Sequence, residues 1–242
     1  MRFRRISALA SMLTCLALGA RAVADGPGPT AMEFAAIDHY AAANRELPPP
    51  APGESRVVFI GDSITQSWGD FQRDYFTRKD RINRGISGQI TSQMLLRFRQ
   101  DVIALKPAAV HILAGTNDLA GNQGPMPLEA IEANIASMAD LARANGIAVV
   151  VGSVLPTTDY PWRPGLNPGP KIVALNDWVK AYVRSHGGVY VDYYAAMTDG
   201  ALGMRPALAQ DGVHPTLAGY QVMLPLAEAG IAAALGHTNL RR

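Results

Sequence analysis

Two short blocks near opposite ends of the chain, Gly61-Asp62-Ser63-Ile64-Thr65 and Asp211-Gly212-Val213-His214, hold residue types that do chemistry together. A serine hydroxyl becomes a useful nucleophile when a neighbouring base takes its proton, and neutral imidazole is suited to that near neutral pH. His214 is such a base. Asp211, three residues earlier, reaches the other ring nitrogen if Gly212 lets the chain turn tightly. The chemistry this spells is acyl transfer. Each residue also has an ordinary use, since serine caps helices, Asp-Gly makes turns and most lone histidines are structural.

The elements around these blocks decide whether they meet. Val57-Val58-Phe59-Ile60 is a fully apolar run of the kind that forms a buried parallel strand. The pattern predicts strands over 57–61, 81–86, 109–114, 147–154 and 188–193. It predicts helices over 66–77, 91–105, 127–145, 170–186 and 216–235. Pro127 falls at the first helical position and Gly146 just past the helix end. Such alternation implies a parallel sheet with helices on both faces, a three-layer α/β/α fold. Ser63 then sits where a strand gives way to a helix, at the rim where open α/β sheets bind ligands. No internal repeat is visible.

Four blocks in order, spread over about Arg56 to Leu235, resemble the SGNH hydrolases, also called the GDSL esterase/lipase family. They are Gly61-Asp62-Ser63-Ile64, Asn83-Arg84-Gly85-Ile86-Ser87-Gly88-Gln89-Ile90-Thr91, Gly115-Thr116-Asn117-Asp118 and Asp211-Gly212-Val213-His214-Pro215. The resemblance implies a flavodoxin-like five-stranded sheet of order 2-1-3-4-5 and a Ser63, Asp211, His214 triad. It also implies three oxyanion donors: the backbone N–H groups of Ser63 and Gly88 and the side-chain amide of Asn117. The physics of each agrees. Ser63 opens a helix, so its N–H is outside the helical ladder. Gly88 lets backbone approach substrate, and Asn117 brings an uncharged donor. Two positions depart from the pattern: Ile64 replaces the usual leucine, and Gln89 stands where many relatives carry an acid.

Other polar and aromatic residues read as structural. His111 falls within a buried strand as a hydrogen-bonded core residue, and Asp62 and Asp118 hold loops. Tyr193, Tyr194 and Trp178 pack, whereas Trp68 lines either the pocket or the core. No G-x-S-x-G elbow, phosphate-binding loop, H-E-x-x-H or C-x-x-C pair occurs, so nothing asks for a cofactor or metal.

The N-terminus carries an address. Arg2, Arg4 and Arg5 precede an apolar stretch from Ile6 to about Leu18, and Ala22-Val23-Ala24 fits a cleavage site. Residues 1–24 therefore read as a signal peptide, with a retained anchor as the alternative. Residues 25–55 read as a helix over 32–46 and a proline-rich linker, and 56–242 as the hydrolase domain. Cys15, the lone cysteine, lies in the signal, and Thr14 before it does not suit a lipoprotein site. Cleavage removes four arginines and no acid, taking the formal charge from +2 to −2. No basic patch is left for nucleic acid, and no membrane anchor.

The stretch 155–169 is longer than most connections and carries Trp162 and Arg163, which either bind substrate or pack the loop. An exported chain with an aromatic rim is expected to be a periplasmic or secreted esterase that removes acetyl groups from small-molecule or polysaccharide esters. Arylesterase or lysophospholipase activity is the second expectation, and a carbohydrate-binding module on the same fold is the non-enzymatic one.

Overall fold

The computed structural model describes residues 30–239, with side chains as far as residue 236. The segment read as a signal peptide, and Cys15 with it, lies outside the described residues.

The chain enters through two short helices, α1 (Ala31–Ala35) and α2 (Ala41–Glu46), and then follows strand β1 (Val57–Gly61), helices α3 (Ser63–Phe71) and α4 (Arg73–Phe76), and β2 (Arg81–Gly85). Next come α5 (Thr91–Asp101), a 3-10 turn at Ile103–Leu105, β3 (Ala109–Leu113), α6 (Thr116–Leu119), α7 (Leu128–Ala144) and β4 (Ala148–Gly152). The chain closes with α8 (Gly169–His186), β5 (Val189–Val191), α9 (Tyr193–Met197), a 3-10 turn at Pro206–Leu208 and α10 (Leu217–Asn239). All five strands are parallel, in the order β2-β1-β3-β4-β5. The order expected from the family resemblance is the order found.

Strand side chains alternate between two cores. Val58, Ile60, Val110, Ile112, Val149 and Val151 face α5, α7 and α8. Val57, Phe59, Ala109, Ala148 and Val150 face α3, α9 and α10. Among the described residues α10 alone is long and apolar enough to span a membrane, and its Tyr220, Met223, Ala227, Ile231 and Ala234 are buried. It packs on β4 and β5, as a core helix does.

Boundaries differ from the sequence reading where local bonds intervene. The helix expected at 66–77 begins at Ser63, because the Asp62 carboxylate caps it by accepting the Ile64 N–H at 2.9 Å, and it breaks at Gln72. Pro127 is the cap residue before α7, with Leu128 the first helical residue. The single helix expected at 32–46 is two, interrupted at Ala36, whose φ is 51°. The interruption has a cause. The Phe34 and Ala35 carbonyls accept hydrogen bonds from the amides of Gln93 (2.6 Å) and Gln89 (2.9 Å) on the body of the protein.

Candidate active site

The site lies at the C-terminal ends of the three central-edge strands. Gly61 ends β1 in register with Gly85 of β2 and Leu113 of β3. The blocks that follow each strand therefore emerge side by side. A Cβ on Gly85 would stand 2.2 Å from the Gln66 backbone nitrogen, and one on Gly61 2.1 Å from Thr65 Oγ1. Bare backbone at these two ends lets the first turn of α3 sit on the sheet. Asn83 fastens it, donating to the Thr65 carbonyl at 2.6 Å and accepting from the Gly85 N–H at 2.8 Å.

Ser63 is the first residue of α3, so its N–H lies outside the helical ladder. Its hydroxyl Oγ is 2.9 Å from His214 Nε2, and His214 Nδ1 is 2.8 Å from Asp211 Oδ2. The other Asp211 oxygen accepts the backbone N–H groups of Val213 (3.0 Å) and His214 (2.8 Å). Partial burial raises the Asp211 carboxyl, but the bonds from the His214 backbone and ring and from Val213 outweigh it and hold it below its ordinary value. The loop is braced from outside: Gln210 N–H donates to the His214 carbonyl at 2.7 Å, and the Gln210 side chain donates to the Pro215 carbonyl at 2.7 Å.

Gly88 adopts φ +77°, and a Cβ there would meet nothing within 4 Å. The glycine is thus required by backbone conformation rather than by crowding. Its N–H has no partner among the described residues. Asn117, in α6, is 4% exposed. It donates through Nδ2 to the Gln89 carbonyl at 3.0 Å and accepts at Oδ1 from Asn122 at 2.7 Å. Asn122 in turn accepts from the Trp162 indole N–H at 2.9 Å, and the Trp162 ring stands 5.9 Å from that of His214. A chain of polar contacts so runs from the Gly88 turn to the rim. Asn122 and Asp159 escape a motif-based reading. Asp159 accepts the N–H groups of Tyr160, Gly165 and Leu166 and so shapes the loop that carries Trp162.

Outside the triad, the titratable groups Asp62, Asp118 and His111 are buried. Asp62 is 1% exposed, and burial, reinforced by Asp118 and only partly offset by the Ile64 N–H and His214, pushes its carboxyl up to about 7. Asp118 accepts the N–H and hydroxyl of Thr91, tying α6 to α5. Both acids hold loops, as the sequence suggests. His111 lies among Phe59, Trp68 and Tyr193, with Nε2 2.8 Å from the Tyr193 hydroxyl, and burial pulls it down to about 3. Trp68 is fully buried in that cluster, which settles its alternative in favour of the core. Arg163 donates to the Gly121 carbonyl at 2.7 Å, while Trp162 remains 41% exposed.

A cavity of about 560 Å³ opens beside Gly88, between Phe34 of α1, Gln89, Gln123 and the Trp162-Arg163 loop. Among the described residues no group of three or more His, Cys, Asp or Glu is placed to hold a metal ion.

Residues 59–222 match the GDSL-like lipase/acylhydrolase family. The chain belongs to that family. It is a carboxylic ester hydrolase of the SGNH type. It is 32% identical over 184 residues to Esterase TesA of Pseudomonas aeruginosa, covering 71% of this chain and 81% of the relative. It is 30% identical over 154 residues to an acetylxylan esterase of Geobacillus stearothermophilus, covering 59% and 67%. The crystal structure of a GDSL-like lipase from Bacteroides thetaiotaomicron, 45% identical, superposes with a TM-score of 0.81 over 84% of this chain and 100% of that one.

Proposed function

We propose that this chain is an exported serine esterase that removes acetyl groups from carbohydrate esters. The observation that carries the reading is the unbroken line from Ser63 Oγ through both ring nitrogens of His214 to Asp211. His214 Nε2 takes the hydroxyl proton as Ser63 Oγ bonds to the ester carbonyl carbon. The carbonyl oxygen becomes an oxyanion that accepts from the Ser63 and Gly88 N–H groups and the free amide hydrogen of Asn117, a set worth about 3–4 kcal/mol per donor. Collapse of the intermediate breaks the bond to the alcohol, which leaves with the proton from His214. Water then repeats the sequence on the acyl-serine and releases acetate. Asp211 stays ionised and holds the imidazole in the tautomer that presents a bare Nε2 to serine.

The carbohydrate half of the reading is supported by the half-exposed Trp162, an aromatic face beside His214, and by the amide-rich cavity next to Gly88. Similarity to an acetylxylan esterase points the same way. Export rests on the arginines, apolar stretch and Ala22-Val23-Ala24 of the N-terminus. The test is hydrolysis of p-nitrophenyl acetate, butyrate and decanoate, with acetate release from acetylated xylan, by the wild type and Ser63→Ala. Activity selective for acetate, reduced by about 10⁴- to 10⁶-fold in the variant, agrees with the proposal. Turnover that survives Ser63→Ala overturns it, and rates that rise with acyl length move the substrate to longer lipid-like esters.

A further inference from the structure

The N-terminal segment 30–47 lies outside the parallel sheet, yet its bonds converge on the site. The Gln89 side chain sits at the centre. It donates from Nε2 to the Ala35 carbonyl at 2.9 Å and accepts at Oε1 from Arg97 Nε at 2.6 Å. Its backbone carbonyl receives the Asn117 amide at 3.0 Å. Arg97, with no exposed surface, also donates to the Gly61 carbonyl at 3.1 Å, two residues before Ser63, and pairs with the equally buried Asp101 at 3.0 Å. The segment grips this network at three further points. Asn44 donates to Asp101 at 2.7 Å and accepts from Arg84 at 2.8 Å, the Tyr40 hydroxyl donates to the Gly85 carbonyl, and Gln93 donates to the Phe34 carbonyl.

We propose that residues 30–47 form a strap that positions the oxyanion turn, with Gln89 as its connector. The inference rests on the roles assigned above to Gly88 and Asn117. Its chemistry explains why an amide occupies position 89. The group must accept from a guanidinium and donate to a carbonyl at once, and an amide carries both functions on one planar head without titrating. A carboxylate keeps the Arg97 bond and faces the Ala35 carbonyl with a second acceptor. The strap therefore fixes Gln89, whose carbonyl on one side takes the Asn117 amide and whose N–H on the other closes onto the Ile86 carbonyl the turn that presents the Gly88 N–H. Tyr40 and Asn44 are positioning residues outside the cavity, and Gln89, which lines it, acts as one because both ends of its amide are already engaged by Ala35 and Arg97.

The test compares Gln89→Glu, Gln89→Leu and the strap double variant Tyr40→Phe/Asn44→Ala with wild type. kcat and KM for p-nitrophenyl acetate are read well below each melting midpoint, together with hydrogen exchange of the segment 86–93. Misplaced donors lower kcat by about 10- to 100-fold, with KM changed by less than about twofold and faster exchange at 86–93. Combining Gln89→Leu with the strap variant costs little more than either, because both act through one turn. A lowered melting midpoint with unchanged kcat overturns the proposal. If wild type shows no serine-dependent turnover, the esterase reading falls on its own, and unchanged exchange at 86–93 then overturns the strap as well.

Discussion

His214 meets three different neighbours, and each fixes a different degree of freedom. Asp211 fixes the tautomer, Ser63 receives the free nitrogen, and the Trp162 ring at 5.9 Å borders the open side. Trp162 is held by its indole N–H on Asn122, which leaves its face free for a ligand. A planar ring fixed in this way stacks on a sugar without losing rotamer freedom. Trp162→Ala is expected to raise KM for acetylated xylan about tenfold, roughly 1.4 kcal/mol, while KM for ethyl acetate, which offers nothing to stack, stays unchanged. Equal effects on both substrates would assign the ring to loop packing instead.

Elements meet at the site through two kinds of glycine, and they predict different damage. At Gly85 an added methyl runs into the Gln66 backbone, which cannot yield, so Gly85→Ala displaces α3 and costs at least about 3 kcal/mol. At Gly88 the methyl has open space but φ +77° disfavours it, so Gly88→Ala costs about 1–2 kcal/mol. Urea unfolding checks both, and the reverse ranking would refute the packing argument. The strands and the four blocks were legible in the sequence because apolar runs and turn residues are local signals. The strand order came from resemblance, since periodicity says nothing about which strands are neighbours. The break at Ala36 was not legible. Nothing in residues 32–46 forces it; the carbonyls there are claimed by Gln89 and Gln93, more than fifty residues on. Asn122 was missed for the same reason: its partners, Asn117 and Trp162, are set by tertiary approach and not by spacing.

At the scale of the whole molecule, two fully buried groups titrate in opposite senses. Asp62, at about 7 against an ordinary 3.8, binds its proton more readily folded than unfolded, so it favours the fold increasingly as pH drops from 7 toward 3.8. His111, at about 3 against 6.5, binds its proton more readily when unfolded, so it favours unfolding as pH drops below 6.5. Each contributes about 1.4 kcal/mol per pH unit, and between 3.8 and 6.5 they oppose one another. Asp62→Asn keeps an acceptor for the Ile64 N–H and removes one of the two slopes. Its urea midpoint is expected to fall further and further below that of wild type from pH 6.5 to pH 4, and parallel curves would show that Asp62 does not titrate as its burial implies. The distance along the chain between Ser63 and His214, which are 151 residues apart, has a consequence in time. A ribosome or a translocation pore releases the serine long before the histidine, so an unfinished chain holds a hydroxyl without a base. Hydrolysis by this pair begins only once nearly all of the polypeptide is out.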